Sequence, residues 1–422
     1  MKRFATLVGL ALKSAWNRRL TLFLIVLSVS LATILLVGLE RVRGQVRTAF
    51  LQAISGTDLV VGARGSQIQI ILYAVFHLGG ATNNMGWDSA QKIAQRSEVA
   101  WTIPISMGDS HQGYPVVATT QDFFKHFRYR RGMELKLAKG REFGDIFEVV
   151  LGSEVARQLN YELGQSLVLR HGLGTVAPEH SDKPFTVVGV LASTGSPVDR
   201  SLYINLESME AIHIDWRGGA PIRGFTISAD RARKMNLTPK SITALLVGLK
   251  NRRQVFNLQR ELQSAPGEAL SAVMPGVALD QLWRILGSGE KVLWLVSILV
   301  TATGLMGLIS SVLAGLGERR RELAILRSVG ARPFDILTLL SLESLALTVA
   351  GVLIGLSILA LIIALLGPII SEAYGLVIEL SPPTAREGLL SLAIIVAGYL
   401  AGLVPAIRAY FLSLGDGLSL SL

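Results

Sequence analysis

Apolar residues are concentrated in four long runs along the chain. The first run, 20–39, and the second, 292–316, contain no charged residue. The third run, 336–366, contains one acid, Glu343, and the fourth run is 388–407. A helix rises about 1.5 Å per residue, so each run is long enough to cross a hydrocarbon core about 30 Å thick. The pattern predicts an integral membrane protein with four transmembrane α-helices.

The segment 40–290 between the first two runs has a different pattern. Its short Val-, Ile- and Leu-rich runs are typical of strands, its three- and four-residue apolar spacings are typical of helices, and Gly, Pro and Asp separate them. The predicted strands are 58–62, 149–151, 166–169, 185–191 and 201–204, and the predicted helices are 89–96, 153–159 and 252–264. This mixture predicts a large α+β domain, long enough for two subdomains.

Charge in the short flanking segments predicts the orientation of the spans. The amphipathic segment 1–19 has basic residues and no acid, and 317–333 is rich in arginine. By contrast, the charged residues of the loop 367–387 are mostly acidic. Cytoplasmic loops are enriched in Lys and Arg. We therefore expect both termini, including the tail 408–422, to be cytoplasmic, and the domain 40–290 to be extracytoplasmic.

The overall composition supports this assignment. The 422 residues are 50% hydrophobic and only 17% charged, which excludes a disordered chain and is unusual for a soluble enzyme. The net charge of +10 is accounted for in part by the cytoplasmic segments, and no nucleic-acid-binding framework is present, so we expect no nucleic-acid partner. The absence of cysteine excludes disulfides and thiolate metal sites.

The loop between the second and third spans has the pattern of a short amphipathic helix. Residues 317–332 read GERRRELAILRSVGAR, with leucines on one face and most arginines on the others. Gly330 is suited to a left-handed helix end, and Pro333 to the start of the next helix. From these residues alone, the segment is a helix lying on the membrane surface.

The same segment resembles the cytoplasmic loop of the MacB/FtsX-type ABC transporter permeases. The run DLVVGARGSQIQIILYAVFH at 58–77, FTVVGV at 185–190 and the tail residues 405–410 also resemble members of this family. One span, a large external domain and three further spans make up the family's layout. The resemblance therefore covers the whole chain.

The resemblance implies a permease of the bacterial cytoplasmic (inner) membrane that works by mechanotransmission. It implies two copies of an ABC ATPase subunit, which would use ATP and Mg, and a homodimer or a pairing with a related permease. It also implies contact with membrane lipid, stalk helices at 40–54 and 275–291, a β-rich insertion near 135–210 and, in some members, a periplasmic adaptor or binding protein. The residues implied to couple to the ATPase are Glu318, Arg319, Arg320, Arg321, Glu322, Leu326, Arg327 and Gly330.

No ATP site is visible in this sequence. A Walker A motif needs Gly-Lys followed by Ser or Thr, and the dipeptide Gly-Lys does not occur. We therefore expect a chain that binds no cofactor and has no catalytic residue, and a separate ATPase, as in the lipoprotein-releasing permeases. Candidate cargoes are a lipoprotein, a lipid, a peptide or a small toxic compound. The alternative is an FtsX-like transmitter that activates an extracytoplasmic partner without transport.

Small residues at a spacing of four occur in the last two spans. Gly351 and Gly355, and Gly398 and Gly402, form small-xxx-small patterns that allow close helix approach. We expect these glycines to pack helices within one subunit, with a dimer contact as the alternative. Glu343, near the cytoplasmic end of its span, is expected to have a structural or coupling role rather than to handle protons or cargo.

Histidines are found only in the external domain, at 77, 111, 126, 171, 180 and 213. His171 and His180 lie close together in sequence, with Glu179 and Asp182 beside them. A zinc site needs three or four ligands in tetrahedral reach. Spacing alone favours ordinary surface histidines, so the expectation is no bound metal, with His171 and His180 as the candidates if one binds.

Overall fold

The computed structural model describes residues 19–80, 83–130, 132–172, 178–217, 220–222, 224–318, 327–328, 330–374 and 380–411. The chain divides into two units. The membrane unit comprises 1–45, 287–369 and 378–422, and the sheet unit comprises 46–286 and 370–377.

Eleven α-helices lie within the described residues. Four of them are long or membrane-associated: α1 (Arg19–Leu51), α9 (Pro275–Glu318), α10 (Pro333–Tyr374) and α11 (Ala385–Tyr410). The seven shorter ones are α2 (Gln67–Ala74), α3 (Trp87–Ala94), α4 (Asp122–His126), α5 (Ser153–Gln158), α6 (Leu206–His213), α7 (Ala229–Ala232) and α8 (Val255–Ser264).

Seventeen strands are described, all in the sheet unit. They are β1 (Leu59–Ala63), β2 (Met85–Gly86), β3 (Val99–His111), β4 (Tyr114–Thr119), β5 (Arg128–Tyr129), β6 (Met133–Glu134), β7 (Leu137–Gly140), β8 (Glu148–Leu151), β9 (Ser166–Leu167), β10 (Arg170–His171), β11 (Phe185–Leu191), β12 (Leu202–Asn205), β13 (Trp216–Arg217), β14 (Ala220–Pro221), β15 (Ser241–Ile242), β16 (Ala244–Leu249) and β17 (Leu270–Val273). The five predicted strands correspond to β1, β8, β9, β11 and β12. Strand β11 has the predicted ends, and the ends of the other four differ by at most two residues.

One eleven-stranded sheet organises the sheet unit. Its order is β17-β1-β16-β3-β4-β12-β8-β11-β7, with β10 also paired to β3 and β9 to β11. Most pairs are antiparallel, and the β4–β12 and β8–β11 pairs are parallel. Strand β3 is long enough to pair β16 with its first half and both β4 and β10 with its second. The expected insertion 135–210 contributes strands β7 to β12 to this same sheet.

Both faces of the sheet are covered by apolar cores. Side chains on a strand alternate between faces, and successive residues divide between two clusters accordingly. In β1, Leu59 and Val61 belong to one core and Val60 to the other. In β12, Leu202 and Ile204 face the first core, whereas Tyr203 faces the second. Short helices cover both faces, which gives the α+β architecture that the sequence predicts.

Within the described residues, three helices are long and apolar enough to cross a membrane. They are Arg19–Thr48 of α1, Pro333–Ile370 of α10 and Ala385–Tyr410 of α11. In α9, the described apolar stretch Lys291–Gly307 is shorter than a full span. The chain is therefore a membrane protein with a large α+β domain, and the fourth span, at 292–316, stays a prediction.

Candidate functional site

The segment predicted to couple to an ATPase is described only at its ends. Residues 319–326 lie outside the described residues, which leaves out Arg319, Arg320, Arg321, Glu322 and Leu326. Glu318 is the last residue of α9. Gly330 has a φ of +99°, and its amide donates a 3.0 Å hydrogen bond to the carbonyl of Arg327. Helix α10 then begins at Pro333, so both expected end signals are present.

Gly351 and Gly355 lie where α10 crosses α1. A Cβ on Gly351 would lie 2.7 Å from Val29, and one on Gly355 would lie 2.8 Å from the carbonyl oxygen of Ser30. The Ser30 hydroxyl donates a 2.9 Å hydrogen bond to the Gly351 carbonyl across the contact. Only glycine allows this backbone approach.

Gly398 and Gly402 have the same role between α11 and α10. A Cβ on Gly398 would lie 2.4 Å from Thr348, and one on Gly402 would lie 2.2 Å from Ser344. All four glycines therefore contact neighbouring helices of the same chain.

An ion pair joins α1 to the start of α11. The guanidinium of Arg41 donates from Nη2 to Oε2 of Glu387 at 2.7 Å and from Nε to Oε1 at 3.1 Å. Both side chains are almost fully buried, at 8% and 4% exposure. Glu387 also closes the capping box of α11 with Thr384. In the sequence, Arg41 lies in the expected stalk segment 40–54 and Glu387 in the loop 367–387, and no local pattern indicates that they pair.

The sheet unit contains an apolar cavity of about 530 Å³. Its apolar lining includes Val46 and Phe50 of α1, together with Ala53 and Phe76, and Glu154 and Arg200 also line it. Glu154 and Arg200 pair with each other at 3.3 Å, so the size and lining of the cavity match a small, mainly apolar ligand.

Three histidines and one aspartate come together elsewhere in the sheet unit. Asp109 is in β3, and the antiparallel register of β10 with β3 places His171 opposite it. His180 lies in the segment that follows β10 and forms backbone hydrogen bonds with it. His213 is the last residue of α6. One ligand atom from each of the four residues lies within 4.8 Å of all the others. We call this set the His/Asp cluster.

The distances converge on one carboxylate oxygen. Oδ1 of Asp109 lies 3.1 Å from Nδ1 of His171, 3.5 Å from Nε2 of His213 and 3.9 Å from Nε2 of His180. Nδ1 of His171 and Nε2 of His213 are 2.9 Å apart. His213 donates from Nδ1 to the carbonyl of Met209, which leaves the lone pair of its Nε2 directed into the cluster.

Neighbouring residues hold the His/Asp cluster in place. The ring of Trp216 lies 4.2 Å from that of His180, measured between centroids. The buried ammonium of Lys183, three residues after His180, donates to both carboxylate oxygens of Asp215 at 2.9 and 3.0 Å. This ion pair ties the segment that carries His180 to the segment that follows His213.

The charges within the cluster are strongly coupled. Burial opposes ionisation of Asp109, but the close approach of the three histidine rings outweighs burial and holds the pKa of this carboxyl well below its usual range. Burial alone would lower the pKa of His213, yet its hydrogen bond and proximity to Asp109 raise that pKa above its ordinary value. The Asp109 carboxyl is therefore ionised, and its negative charge favours a positively charged group beside it.

The other sequence candidates have different partners. Glu179 pairs with Arg170, and Asp182 with Lys183, so neither carboxylate joins the cluster. Asp109 and His213 complete it instead, at sequence separations of 62 and 42 from His171. No spacing signal in the sequence could have found them.

Two domain families match this chain. The MacB-like periplasmic core domain matches residues 20–264, and the FtsX-like permease C-terminal domain matches residues 294–414. Together with the apolar helices and the α+β domain, these matches define the class as an ABC transporter permease with a periplasmic domain. The chain belongs to the MacB/FtsX-type family.

Relatives with curated names are longer proteins. The macrolide export ATP-binding/permease protein MacB of Nitrosomonas europaea is 24% identical over 72% of this chain and 45% of its own length. The pyoverdine export ATP-binding/permease protein PvdT of Pseudomonas fluorescens is 30% identical over 54% of this chain and 32% of its own length. The chain thus spans less than half the length of these relatives.

A solved structure is also similar. The periplasmic region of MacB from Actinobacillus actinomycetemcomitans covers 55% of this chain at 12% identity and a TM-score of 0.34. A TM-score this low does not by itself define a shared fold.

Proposed function

We propose that the chain is the permease subunit of an ABC transporter that works with a separate ATPase subunit. Membership of the MacB/FtsX-type family carries this proposal, together with the absence of a Gly-Lys dipeptide from the sequence. The similar relatives are ATP-binding/permease proteins, which supports an ATPase partner for this permease. In this proposal two ATPase subunits serve a permease dimer, and the ATP and Mg sites belong to the ATPase.

The mechanism proposed is mechanotransmission through helices shared by the two units. Helix α1 contributes residues up to 45 to the membrane unit and later residues to the sheet unit, and α9 is divided at 286. A helix is stiff along its axis because each turn is hydrogen-bonded to the next. ATP binding on the cytoplasmic side would therefore move the sheet unit through α1 and α9. The coupling contacts proposed are Glu318, Arg319, Arg320, Arg321, Glu322, Leu326, Arg327 and Gly330.

The proposed activity is export or extraction of a hydrophobic or amphipathic cargo at the outer face of the inner membrane. The apolar cavity beside Val46 and Phe50 supports a cargo with a mainly apolar part. The proposed topology has cytoplasmic termini and an extracytoplasmic sheet unit.

Purification from native membranes tests the proposal. A tagged chain is expected to retain an ABC ATPase, identified by mass spectrometry, and the complex in liposomes should hydrolyse ATP and release labelled lipoprotein or lipid in an ATP-dependent way. ATP hydrolysis without release of any cargo class would instead favour the non-transporting transmitter. Absence of any co-purifying ATPase would overturn the proposal.

A further inference from the structure

We propose that the His/Asp cluster is a zinc site, with Asp109, His171, His180 and His213 as the four ligands of one Zn²⁺ ion. Imidazole nitrogens and a carboxylate oxygen are ligands that zinc takes in proteins, and four protein ligands are typical of closed sites. The inference is independent of the transport function proposed above.

The spacing of the ligand atoms suits a tetrahedral ion. Zinc bonds to nitrogen and oxygen of about 2.0–2.2 Å place neighbouring ligands about 3.3–3.6 Å apart. Oδ1 of Asp109 lies 3.1, 3.5 and 3.9 Å from the nearest nitrogens of the three histidines. Side-chain movements of a few tenths of an ångström would bring each nitrogen to a tetrahedral separation from this oxygen, and the four ligand atoms all lie within 4.8 Å of one another.

Unpaired buried atoms support a ligand in this position. Among the residues that the structure describes, neither ring nitrogen of His180 has a hydrogen-bond partner, although the side chain is fully buried. Oδ2 of Asp109 is also buried without a partner there. A buried polar atom left without a partner destabilises the fold, because it has lost its hydrogen bonds to water. Nε2 of His180 would donate its lone pair to a bound ion.

The alternative to a metal ion is a network of hydrogen bonds within the cluster, and it does not explain the buried nitrogens of His180, which lack a partner in the described part of the chain. In that alternative, His171 donates from Nδ1 to Asp109 and the site needs no ion. His180 would still be buried at 0% exposure without a partner for either nitrogen among the described residues. The hydrogen bond from His213 Nδ1 to Met209 is also the outer contact that metal-binding histidines usually make, since it fixes the tautomer that leaves Nε2 free.

The surroundings allow an ion to enter and to stay. His171 and His213 are 31% and 26% exposed, so one edge of the cluster is accessible to solvent, whereas Asp109 and His180 are fully buried. The anionic carboxylate supplies the negative charge that a divalent cation needs in a partly desolvated site.

Zinc content of the full chain in lipid nanodiscs tests the proposal. After chelator treatment and dialysis against Zn²⁺ at pH 7.4, the wild-type chain is expected to bind one ion tightly. The double variant His171→Ala/His213→Ala should lose it, and Asp109→Asn should bind more than about 100-fold more weakly, because even outer-shell partners contribute about 10- to 100-fold. His126→Ala, which changes a histidine outside the cluster, is the control and should bind as the wild type does.

Two further readouts separate loss of the site from loss of the fold. Zn²⁺ should raise the unfolding temperature of the wild type and of His126→Ala, and leave the double variant unchanged. Co²⁺ in the site should give the intense visible absorption of a tetrahedral complex, which the double variant should lack. A wild-type chain without stoichiometric zinc, or a double variant that binds zinc equally well, would overturn the proposal.

Discussion

Arg41 and Glu387 form a buried two-point ion pair although 346 positions separate them in sequence. The pair lies where α1 passes the N-terminus of α11, next to the end of each apolar run. It joins the first transmembrane helix to the last, at the point where α1 continues beyond its apolar run. In the proposed mechanism this contact anchors the base of a helix that transmits movement.

Removing one partner of this pair should destabilise the membrane unit. Glu387→Ala leaves the guanidinium of Arg41 buried and unpaired, and a broken buried pair costs about 3–5 kcal/mol. Unfolding in mixed micelles, followed by tryptophan fluorescence, measures the change. Arg386→Gln is the control, because Arg386 is exposed and lies 3.7 Å from its partner Glu40, so its change should be well under about 1 kcal/mol. Equal stability of the two variants would contradict the account of the pair.

The contact between Gly402 and Ser344 predicts a repairable packing defect. Gly402→Ala places a methyl group 2.2 Å from the Cβ of Ser344, and overpacking of this kind costs about 1–3 kcal/mol. The double variant Gly402→Ala/Ser344→Gly should recover most of that loss, since the obstructing side chain is gone. Gly388→Ala, in the same helix with open space around it, is the matched control. Unfolding free energies in the same micelles would show whether the double variant is rescued.

His77 should make the sheet unit sensitive to acid. Burial lowers the pKa of His77 from its ordinary value of 6.5 to about 4, and its Nδ1 lies 2.7 Å from the hydroxyl of Ser201. A group whose pKa is lower in the folded state opposes folding once it must be protonated. The free energy of unfolding is therefore unaffected by this group above pH 6.5. It should decrease by about 3 kcal/mol as the pH falls from 6.5 to about 4.

The variant His77→Asn isolates this contribution. Asparagine does not titrate and tolerates the φ of +55° at this position. The unfolding free energy of the wild type should fall more steeply between pH 6.5 and 4 than that of His77→Asn, with His126→Asn behaving as the wild type. Parallel pH profiles for wild type and His77→Asn would show that His77 is not buried in its neutral form.

Charge reversal in the proposed coupling segment should disconnect the ATPase. Arg319→Glu/Arg320→Glu/Arg321→Glu replaces three cations beside Glu318 and Glu322, so an acidic docking surface on the ATPase would be repelled. The expected result is loss of ATPase co-purification and of stimulated hydrolysis, with the permease still folded. The matched change Arg231→Glu/Arg233→Glu/Lys234→Glu, in the periplasmic domain, should leave both intact. If the first variant still stimulates ATP hydrolysis, the contact with the ATPase does not depend on these three arginines.

The architecture could be predicted from sequence because its signals are local. The three long apolar helices and the five predicted strands are each readable within a window of about twenty residues, and β11, at Phe185–Leu191, has the predicted ends. The glycine pairs in α10 and α11 were readable for the same reason, since four residues make one helical turn.

The His/Asp cluster and the Arg41–Glu387 pair could not be predicted in this way. Both depend on contacts between distant segments, and the register of β10 against β3 is what places His171 opposite Asp109. A single sequence has no local pattern that encodes such a register. The acids next to these histidines in sequence, Glu179 and Asp182, pair with Arg170 and Lys183 instead of joining the cluster.

In the proposed mechanism, ATP binding by a partner subunit moves the sheet unit. The chain contains no cysteine, so a single spin label can be attached at Met235→Cys, which is exposed in the sheet unit. Double electron–electron resonance on the complex in nanodiscs would measure the label-to-label distance in the proposed permease dimer, with ATP trapped and without nucleotide. Mechanotransmission predicts different distance distributions in the two states. Identical distributions in a complex that hydrolyses ATP would contradict it.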